Sequence, residues 1–276
     1  MKIGFIGTGN MGRILIEAFV ESEAVNPNQL FITNRTIAKA VEIQNKYPQI
    51  TVVASSEEVV RSADIIFLCV KPLDFHSLLK QVAPHLTAEQ CVVSITSPIT
   101  VQLLEYLVPC HIARVIPSIN NRALSGSSLI TFSDRCGAHF RNFIETTFRR
   151  ISTPVYIDEQ VTRAASDIAS CGPAFFSYLL QRFIDAAVRK THITREQATM
   201  LTSEMIIGLG ELLKKEVYSL PSLQQKVCVR GGVTGEGIKV LESGLGDLFE
   251  NLFEKTHEKF REDIEEVEKQ FNSNIQ

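Results

Sequence analysis

A cluster of glycines near the start of the chain has the residue types and spacing to bind phosphate groups. The apolar run Ile3–Ile6 leads directly into a Gly-x-Gly-x-x-Gly turn, and apolar residues then recur at helical spacing. Strand, glycine turn and helix in this order form the context in which the pattern binds a dinucleotide. Gly7 would allow the tight turn, Gly9 would leave room for the pyrophosphate, and Gly12 would let the helix pack on the strand. An ordinary structural turn is the alternative. The predicted cofactor contacts in this turn are Gly7, Thr8, Gly9, Asn10, Met11 and Gly12.

The end of the second predicted strand, Leu30–Thr33, indicates which dinucleotide binds. An acidic residue near this point would bond the ribose hydroxyls of NAD, but no Asp or Glu occurs from Leu30 to Val41. Asn34 and Arg35 follow the strand instead, and a guanidinium can pair bidentately with the oxygens of a 2′-phosphate. The sequence therefore favours NADP(H) over NAD(H). A solvated arginine at a helix start is the alternative.

Three further strands are predicted at Thr51–Ala54, Ile65–Val70 and Cys91–Thr96. Ligands of open α/β sheets bind outside the carboxyl ends of the strands. We therefore expect additional cofactor contacts where these strands end. The residues assigned to this role are Ser56, Val70, Lys71, Pro72 and Thr96.

The order of the predicted elements indicates an α/β fold. Strands that alternate with helices, the last of them His111–Pro117, Ser127–Phe132 and Pro154–Ile157, predict right-handed βαβ units in a doubly wound Rossmann sheet. From about Glu159 only helical spacing remains, so we expect a dinucleotide-binding domain over 1–158 and a helical domain over 159–276. The predicted helices are Val161–Lys190, Arg195–Lys215, Pro221–Val229, Val233–Glu242 and Gly246–Phe271. Thr194 and Gln197 resemble a capping box at the start of the second of these helices.

Two features of the predicted helices need a physical reason. Gly172 and Pro173 interrupt the first long helix, which indicates either a close approach to a ligand or helix or a simple kink. The last helix carries an apolar stripe at alternating steps of four and three residues. This stripe would cover a partner subunit, or it would pack on its own domain. The stripe consists of Phe253, His257, Phe260, Ile264, Val267 and Phe271.

Composition excludes several classes of partner. The 276 residues carry a formal net charge of −3 and are 45% hydrophobic, which gives no electrostatic reason to expect nucleic acid or an acidic membrane. Apolar runs are strand-sized, too short for a membrane span. The glycine motif stands where a signal peptide would need its apolar region, so we expect a cytoplasmic protein. The six cysteines include no Cys-x-x-Cys pair, which favours reduced, mostly buried thiols and no metal site.

Over nearly its whole length the chain resembles the pyrroline-5-carboxylate reductase family. The motifs that carry the resemblance are the glycine turn, Asn34-Arg35, Val70–Pro72, Cys171–Ala174 and the segment Cys228–Ile238 with Leu241-Glu242. Within that family it is most similar to the branch found in a competence operon. The resemblance implies a Rossmann domain followed by an all-α domain that forms a homodimer or higher oligomer through interlocking helices. It also implies NAD(P)H-dependent reduction of a cyclic imine, 1-pyrroline-5-carboxylate, to proline.

The resemblance also implies where the imine acid binds. Backbone N–H groups at a helix start would receive the substrate carboxylate. The Thr234 hydroxyl would bond the ring nitrogen as the catalytic group, although simple helix capping is an alternative role for it. The residues implied at the substrate site are Val227, Arg230, Gly231, Gly232, Val233 and Thr234.

Three positions depart from the family pattern at this substrate edge. Ser118 stands where the family has asparagine, Ala169 where it has serine, and Arg230 where it has proline. A reductase of this or a related imine acid remains the leading interpretation, and a regulatory protein that binds NADP but turns over poorly is the alternative. A β-hydroxyacid dehydrogenase would need a lysine after the glycine break, and none occurs between Gly172 and Arg189.

Overall fold

The first half of the chain folds around an eight-stranded sheet in the computed structural model, which describes residues 1–272. The strands are β1 (Ile3–Ile6), β2 (Leu30–Thr33), β3 (Thr51–Val52), β4 (Ile65–Leu68), β5 (Cys91–Ser94), β6 (His111–Ile116), β7 (Ser127–Phe132) and β8 (Thr153–Tyr156). Their order across the sheet is β3-β2-β1-β4-β5-β6-β7-β8. The predicted α/β fold class is confirmed.

Helices connect the strands and then form the rest of the chain. Those within the sheet region are α1 (Asn10–Glu21), α2 (Ala38–Lys46), α3 (Ser56–Ser62), α4 (Phe75–Val82), α5 (Val101–Leu107) and α6 (Ala138–Arg149). Those that follow it are α7 (Thr162–Ser166), α8 (Gly172–Lys190), α9 (Arg195–Lys214), α10 (Leu220–Val227), α11 (Val233–Leu245) and α12 (Leu248–Asn272). Within the described residues, no helix is long and apolar enough to cross a membrane.

The continuous apolar sequence of β4 is explained by burial on both faces of the sheet. Ile65 and Phe67 belong to one core, where Phe67 stacks on Phe5 with ring centroids 4.8 Å apart. Ile66 and Leu68 belong to the core on the opposite face. Because side chains alternate along a strand, an unbroken apolar run satisfies both layers.

The prediction of βαβ units throughout the sheet is wrong at β7. β6 and β7 pair in antiparallel fashion, and β7 and β8 are parallel to each other. Only residues 117–126 join β6 to β7, and they contain a short 3₁₀ turn at Ile119–Ala123. A crossover between parallel strands needs about a dozen residues or more, so this connection can only reverse the chain direction.

The chain is helical from Thr162 to Lys190, as the predicted helix over Val161–Lys190 requires, but its hydrogen-bonding pattern changes midway. α7 and α8 are separated by a π-helical turn at Asp167–Cys171. Pro173, just after this turn, has no N–H to donate to the carbonyl of Ala169 four residues earlier, and its ring crowds that carbonyl. The break that the glycine and proline predicted is therefore a wide turn, a form that often occurs at functional sites.

The chain forms two compact units, residues 1–173 with 255–276 and residues 174–254. The predicted domain boundary after residue 158 coincides with the end of the sheet rather than with the edge of either unit. The second unit contains most of α8, all of α9 to α11 and the start of α12. The predicted capping box at the start of α9 is confirmed, because Thr194 accepts from the Gln197 N–H at 3.2 Å and Gln197 accepts from the Thr194 N–H at 3.0 Å.

The end of the apolar stripe on α12 packs on the first unit of its own chain. Val267 and Phe271 are buried in the same core as Ile66 and Leu68. Closer to the start of the helix, the Arg163 guanidinium lies over the Phe260 ring at 5.4 Å. The intrachain alternative therefore holds for Val267 and Phe271, and an inter-subunit role for these two residues is a wrong expectation. For the rest of the stripe it stays a prediction. The sheet leaves an apolar face that the terminal helix covers.

All six cysteines are free, as the sequence predicted. Cys91, Cys110 and Cys136 are buried, and the other three are half-buried. Burial raises the pKa of the Cys110 thiol to about 11. Among the described residues, no group of His, Cys, Asp and Glu side chains is arranged to hold a metal ion.

We predict that Val267→Ala lowers the free energy of unfolding by about 2 kcal/mol, because it removes buried methyl groups and leaves a cavity. Val41→Ala, on the exposed side of α2, is the matched control and should change stability by less than about 0.5 kcal/mol. Urea unfolding measures both changes. Light scattering should find the same particle mass for all three proteins. A change of mass without a change of stability would contradict intrachain packing.

Candidate functional site

The glycine turn after β1 is built by close backbone contacts. The Gly7 N–H donates to the Thr33 carbonyl at 2.9 Å, and the Cys69 N–H donates to the Ile6 carbonyl at 2.8 Å. Gly7 has a φ of +103°, and a Cβ at Gly12 would lie 2.2 Å from the Gly7 carbonyl oxygen. The start of α1 can therefore approach the turn only because residue 12 has no side chain.

The same turn leaves room and hydrogen-bonding capacity for a ligand. A Cβ at Gly9 would meet no atom within 4 Å, so the space in front of the helix start is open. The Thr8 N–H donates to Asn34 Oδ1 at 3.0 Å. The Thr8 hydroxyl is buried and has no hydrogen-bond partner within residues 1–272. An orphaned donor beside open helix N–H groups fits an anionic oxygen such as that of a phosphate.

A cleft of about 540 Å³ opens at this turn, along the carboxyl ends of β1, β2 and β4. It collects seven of the predicted cofactor residues: Gly7, Gly9, Asn34, Arg35, Ser56, Val70 and Lys71. Of the remaining predicted residues, Thr8 lies in the turn, while Asn10, Met11 and Gly12 form the first turn of α1. Pro72 begins a 3₁₀ turn after Lys71. Thr96 lies close to this edge, where its hydroxyl is 3.4 Å from the Val70 carbonyl.

The strands that form this cleft end earlier than the sequence predicted. β4 stops at Leu68 and β5 at Ser94, two residues before the ends of their apolar runs. Val70 and Thr96 therefore lie beyond the paired residues of their strands, and Val70 lines the cleft. Ser55 is the N-cap of α3, since its hydroxyl accepts from the Glu58 N–H at 3.2 Å.

One end of the cleft is basic. Asn34 donates to the Thr36 carbonyl at 3.0 Å, which holds the chain after β2 in a turn. Arg35 and Lys39 both line the cleft, and the Arg35 side chain is 90% exposed. Sequence reasoning missed Lys39, which lies in the first turn of α2. It also missed Ser77 and Gln81 of α4, which no local motif marks.

A second cleft, of about 630 Å³, lies at the opposite edge of the sheet. Lys2, Gln29, Asp64 and Gln90 line it, and each stands immediately before a strand. The amino ends of the parallel strands lie at this edge, whereas ligands of doubly wound sheets bind at the carboxyl ends of the strands. We therefore place the candidate site at the glycine turn.

Two of the three departures from the family pattern contact each other. Ser118 follows β6, and its hydroxyl donates to the Ala169 carbonyl at 2.7 Å. Pro173, four residues after Ala169, has no N–H to donate to that carbonyl. One residue on, the Ser170 hydroxyl donates to the Pro117 carbonyl at 2.8 Å. Two hydrogen bonds therefore join the carboxyl end of β6 to the π-helical turn.

The loop after Ser118 is also anchored to α1. The Arg122 guanidinium donates to both carboxylate oxygens of Glu21, at 2.5 and 3.0 Å, and lies 3.1 Å from the buried Glu17. The hydrogen bond from Arg122 lowers the pKa of Glu21 to about 2. Hydrogen bonds from Tyr47 and Lys46 act in the same direction, and desolvation acts against them. Nothing near Arg122 in the sequence indicates this contact, because its partners are 101 residues away or more.

The predicted substrate residues form a short connection in the second unit. Val227 ends α10, Gly231 has a φ of +75°, and Gly232 is the N-cap of α11 with no side-chain capping bond. Thr234 lies within the first turn of α11 and is half-buried, so it is not the helix cap. Arg230 is exposed. Their role toward a substrate stays a prediction.

Comparison with known proteins matches each half of the chain to a family. Residues 2–98 match the family described as NADP oxidoreductase, coenzyme F420-dependent, and residues 159–263 match the pyrroline-5-carboxylate reductase dimerisation family. The chain is 55% identical to ComE operon protein 4 of Bacillus subtilis, over 99% of this chain and all of that protein. It is 28% identical to pyrroline-5-carboxylate reductase 3 of the same organism, over 98% of this chain and 99% of that one. The resemblance to the competence-operon branch is confirmed.

Solved structures establish the fold. Pyrroline carboxylate reductase of Plasmodium falciparum, solved with NADP bound, superposes with a TM-score of 0.82 at 24% identity, covering 97% of this chain and 98% of that one. The pyrroline-5-carboxylate reductase of Coxiella burnetii gives the same TM-score at 23% identity, covering 98% of both chains.

The two glycines of the turn should respond differently to alanine. Gly12→Ala should lower the free energy of unfolding by more than about 2 kcal/mol, because its Cβ would overlap the Gly7 carbonyl oxygen and force the backbone to move. Gly9→Ala is the matched control and should cost less than about 1 kcal/mol, mainly through poorer capping. Urea unfolding compares the two, and equal losses would contradict the geometry of the turn.

The bond between Glu21 and Arg122 should make stability depend on pH in the acid range. The pKa of Glu21 is about 2 in the folded state, below its ordinary value of 4.5, so its stabilisation is present above pH 4.5 and is lost as pH falls toward 2. In Glu21→Gln, the free energy of unfolding should therefore fall less steeply between pH 4.5 and pH 2 than it does in the wild type. Unfolding by urea at several pH values measures the slope. Glu89→Gln is the control and should keep the wild-type dependence on pH. If Glu21→Gln also keeps it, the bond between Glu21 and Arg122 makes no pH-dependent contribution to stability.

Proposed function

Because this chain belongs to the pyrroline-5-carboxylate reductase family, we propose that it reduces 1-pyrroline-5-carboxylate, or a related cyclic imine acid, with NADPH. The product from pyrroline-5-carboxylate would be L-proline. The observation that carries the proposal is the glycine turn, where an unpartnered Thr8 hydroxyl and the open space at Gly9 fit a pyrophosphate. The match of residues 2–98 to an NADP oxidoreductase family and of residues 159–263 to the pyrroline-5-carboxylate reductase dimerisation family supports it.

The cofactor would be held along the cleft at the carboxyl ends of the strands. The N–H groups at the start of α1 and the Thr8 hydroxyl receive the pyrophosphate oxygens. Arg35 pairs with the 2′-phosphate as a charge-assisted donor. Val70, Lys71 and Thr96 line the edge toward β5. When bound, the nicotinamide supplies the hydride for the C=N bond.

The substrate would be held by the connection between α10 and α11. Gly232 leaves the first N–H groups of α11 without a side-chain cap, so they remain available for the substrate carboxylate. Arg230 adds a cation beside them. The Thr234 hydroxyl bonds the ring nitrogen and orients its proton. The family pattern at Gly231, Gly232 and Thr234 supports this assignment, whereas Arg230 departs from that pattern.

We propose further that the chain forms a homodimer through its second unit. The match of residues 159–263 to a dimerisation family supports this. So does the exposure of large apolar side chains in α8, α9 and α11, since exposed apolar surface of this kind marks interfaces. Examples are Phe176 at 61%, Phe183 at 63%, Ile207 at 59% and Val240 at 68%.

A second candidate function is an NADP-binding regulatory protein with weak turnover. The observation that favours it is the bond between Ser118 and Ala169, because two departures from the family pattern meet beside the carboxyl end of β6. The name of ComE operon protein 4, which is 55% identical, also states no activity. A cofactor titration together with steady-state NADPH oxidation separates the two functions.

We predict that Thr234→Ala lowers kcat/KM for the imine acid by about tenfold or more, because a lost hydrogen bond to a charged or reacting group costs about 1.5–3 kcal/mol. The affinity for NADPH should barely change. Thr199→Ala, on the exposed side of α9, is the control and should turn over as the wild type does. Steady-state kinetics with pyrroline-5-carboxylate measures the effect.

Arg230→Pro, which restores the family residue, then identifies the substrate class. A loss of activity would make Arg230 a substrate ligand and indicate a substrate with a second acidic group. A gain on pyrroline-5-carboxylate would mean that the wild-type site has diverged from proline synthesis. If the wild type and this variant bind NADPH but reduce no imine acid, the reductase function is refuted and the regulatory one stands.

A further inference from the structure

A carboxylate lies at the basic end of the cleft, although the sequence after β2 lacks one. Asp74 belongs to the 3₁₀ turn after β4 and lines the cleft together with Arg35, Thr36 and Lys39. It is the only acid among the described residues that line this cleft. The segment Leu30–Val41, where an acid of this kind is usually sought, has none. The fold therefore brings the carboxylate from a different strand end.

The side chain of Asp74 is directed to Arg35 rather than to its own helix. The residue stands directly before α4, yet its side chain makes no capping hydrogen bond there. Asp74 Oδ1 lies 3.9 Å from Arg35 Nη1. The two side chains are 44% and 90% exposed. An ion pair this open to solvent is weak, so another anion can displace the carboxylate from the guanidinium.

We propose that Asp74 determines how strongly the cleft distinguishes NADPH from NADH, an inference that rests on the proposed binding of a nicotinamide dinucleotide. The 2′-phosphate of NADPH competes with Asp74 for Arg35 and meets the repulsion of a like charge. NADH has a 2′-hydroxyl in its place, and a carboxylate accepts a hydrogen bond from a hydroxyl. Arg35 raises the affinity for NADPH above that for NADH, and Asp74 makes this difference smaller. The cleft therefore accepts both cofactors.

The test is a titration of the full-length protein with NADPH and with NADH, followed by the fluorescence of the bound nicotinamide. Asp74→Asn should lower the Kd of NADPH by about threefold to tenfold, because it removes the like charge. The Kd of NADH should stay the same or rise. Since the Asp74 side chain caps no helix, the fold should be retained, and thermal unfolding without cofactor checks this. Glu89→Gln has the same change of charge at the opposite edge of the sheet and should leave both constants unaltered.

A double variant tests whether Asp74 acts on the phosphate. Arg35→Ala should weaken NADPH binding more than NADH binding, since the phosphate then faces the carboxylate alone. Adding Asp74→Asn to Arg35→Ala should recover part of the lost NADPH affinity, which a purely structural role for Asp74 would not do. An unchanged ratio of the two constants in Asp74→Asn, or no recovery in the double variant, overturns the inference. If the wild type binds neither cofactor, the proposed function itself is refuted.

Discussion

The close contact between Gly12 and the Gly7 carbonyl is the constraint on which the rest of the site depends. Because α1 is seated directly on the turn after β1, its amino end faces the cleft and its carboxyl end reaches Arg122. The same helix therefore supports both the phosphate side and the loop after β6. A side chain at residue 12 would lift α1 from the turn, and both positions would shift together.

The sheet explains why the terminal helix returns to the first unit. Residues of β4 alternate between two cores, so each face of the sheet must be covered. α3, α4 and α5 contribute to one face, and Val267 and Phe271 add to that core. Asp167 of the π-helical turn accepts from Thr256 of α12 at 2.7 Å and from Arg163 at 2.8 Å. Burying this carboxylate is tolerable because both of its oxygens have donors. The terminal helix is thus held by an apolar and a polar contact.

Sequence reasoning succeeded where the physical determinant is local. The glycine turn, the bounds of β2 and the capping box at Thr194 all follow from residues within a few positions of one another. It failed where the determinant is distant in sequence. Nothing near Asp74 in the sequence indicates its contact with Arg35, and nothing near Arg122 indicates its ion pair with Glu21. The direction of β7 depends on the length of the connection from β6 rather than on the composition of that connection. The packing partner of the apolar stripe could not be predicted for the same reason. Periodicity shows that one face of the helix is buried, but it does not show which surface covers that face.

The contact between Ser118 and Ala169 shows how the carboxyl end of β6 is held against the π-helical turn. The Ser118 hydroxyl donates to the Ala169 carbonyl at 2.7 Å, and the Ser170 hydroxyl donates to the Pro117 carbonyl at 2.8 Å. The two bonds run in opposite directions between the same two segments, so each segment supplies one donor and one acceptor. Both acceptors are backbone carbonyls, and a carbonyl left unpaired away from water costs about 1–3 kcal/mol. The hydroxyls of residues 118 and 170 therefore fix the position of the turn against the end of β6, whichever ligand this edge receives.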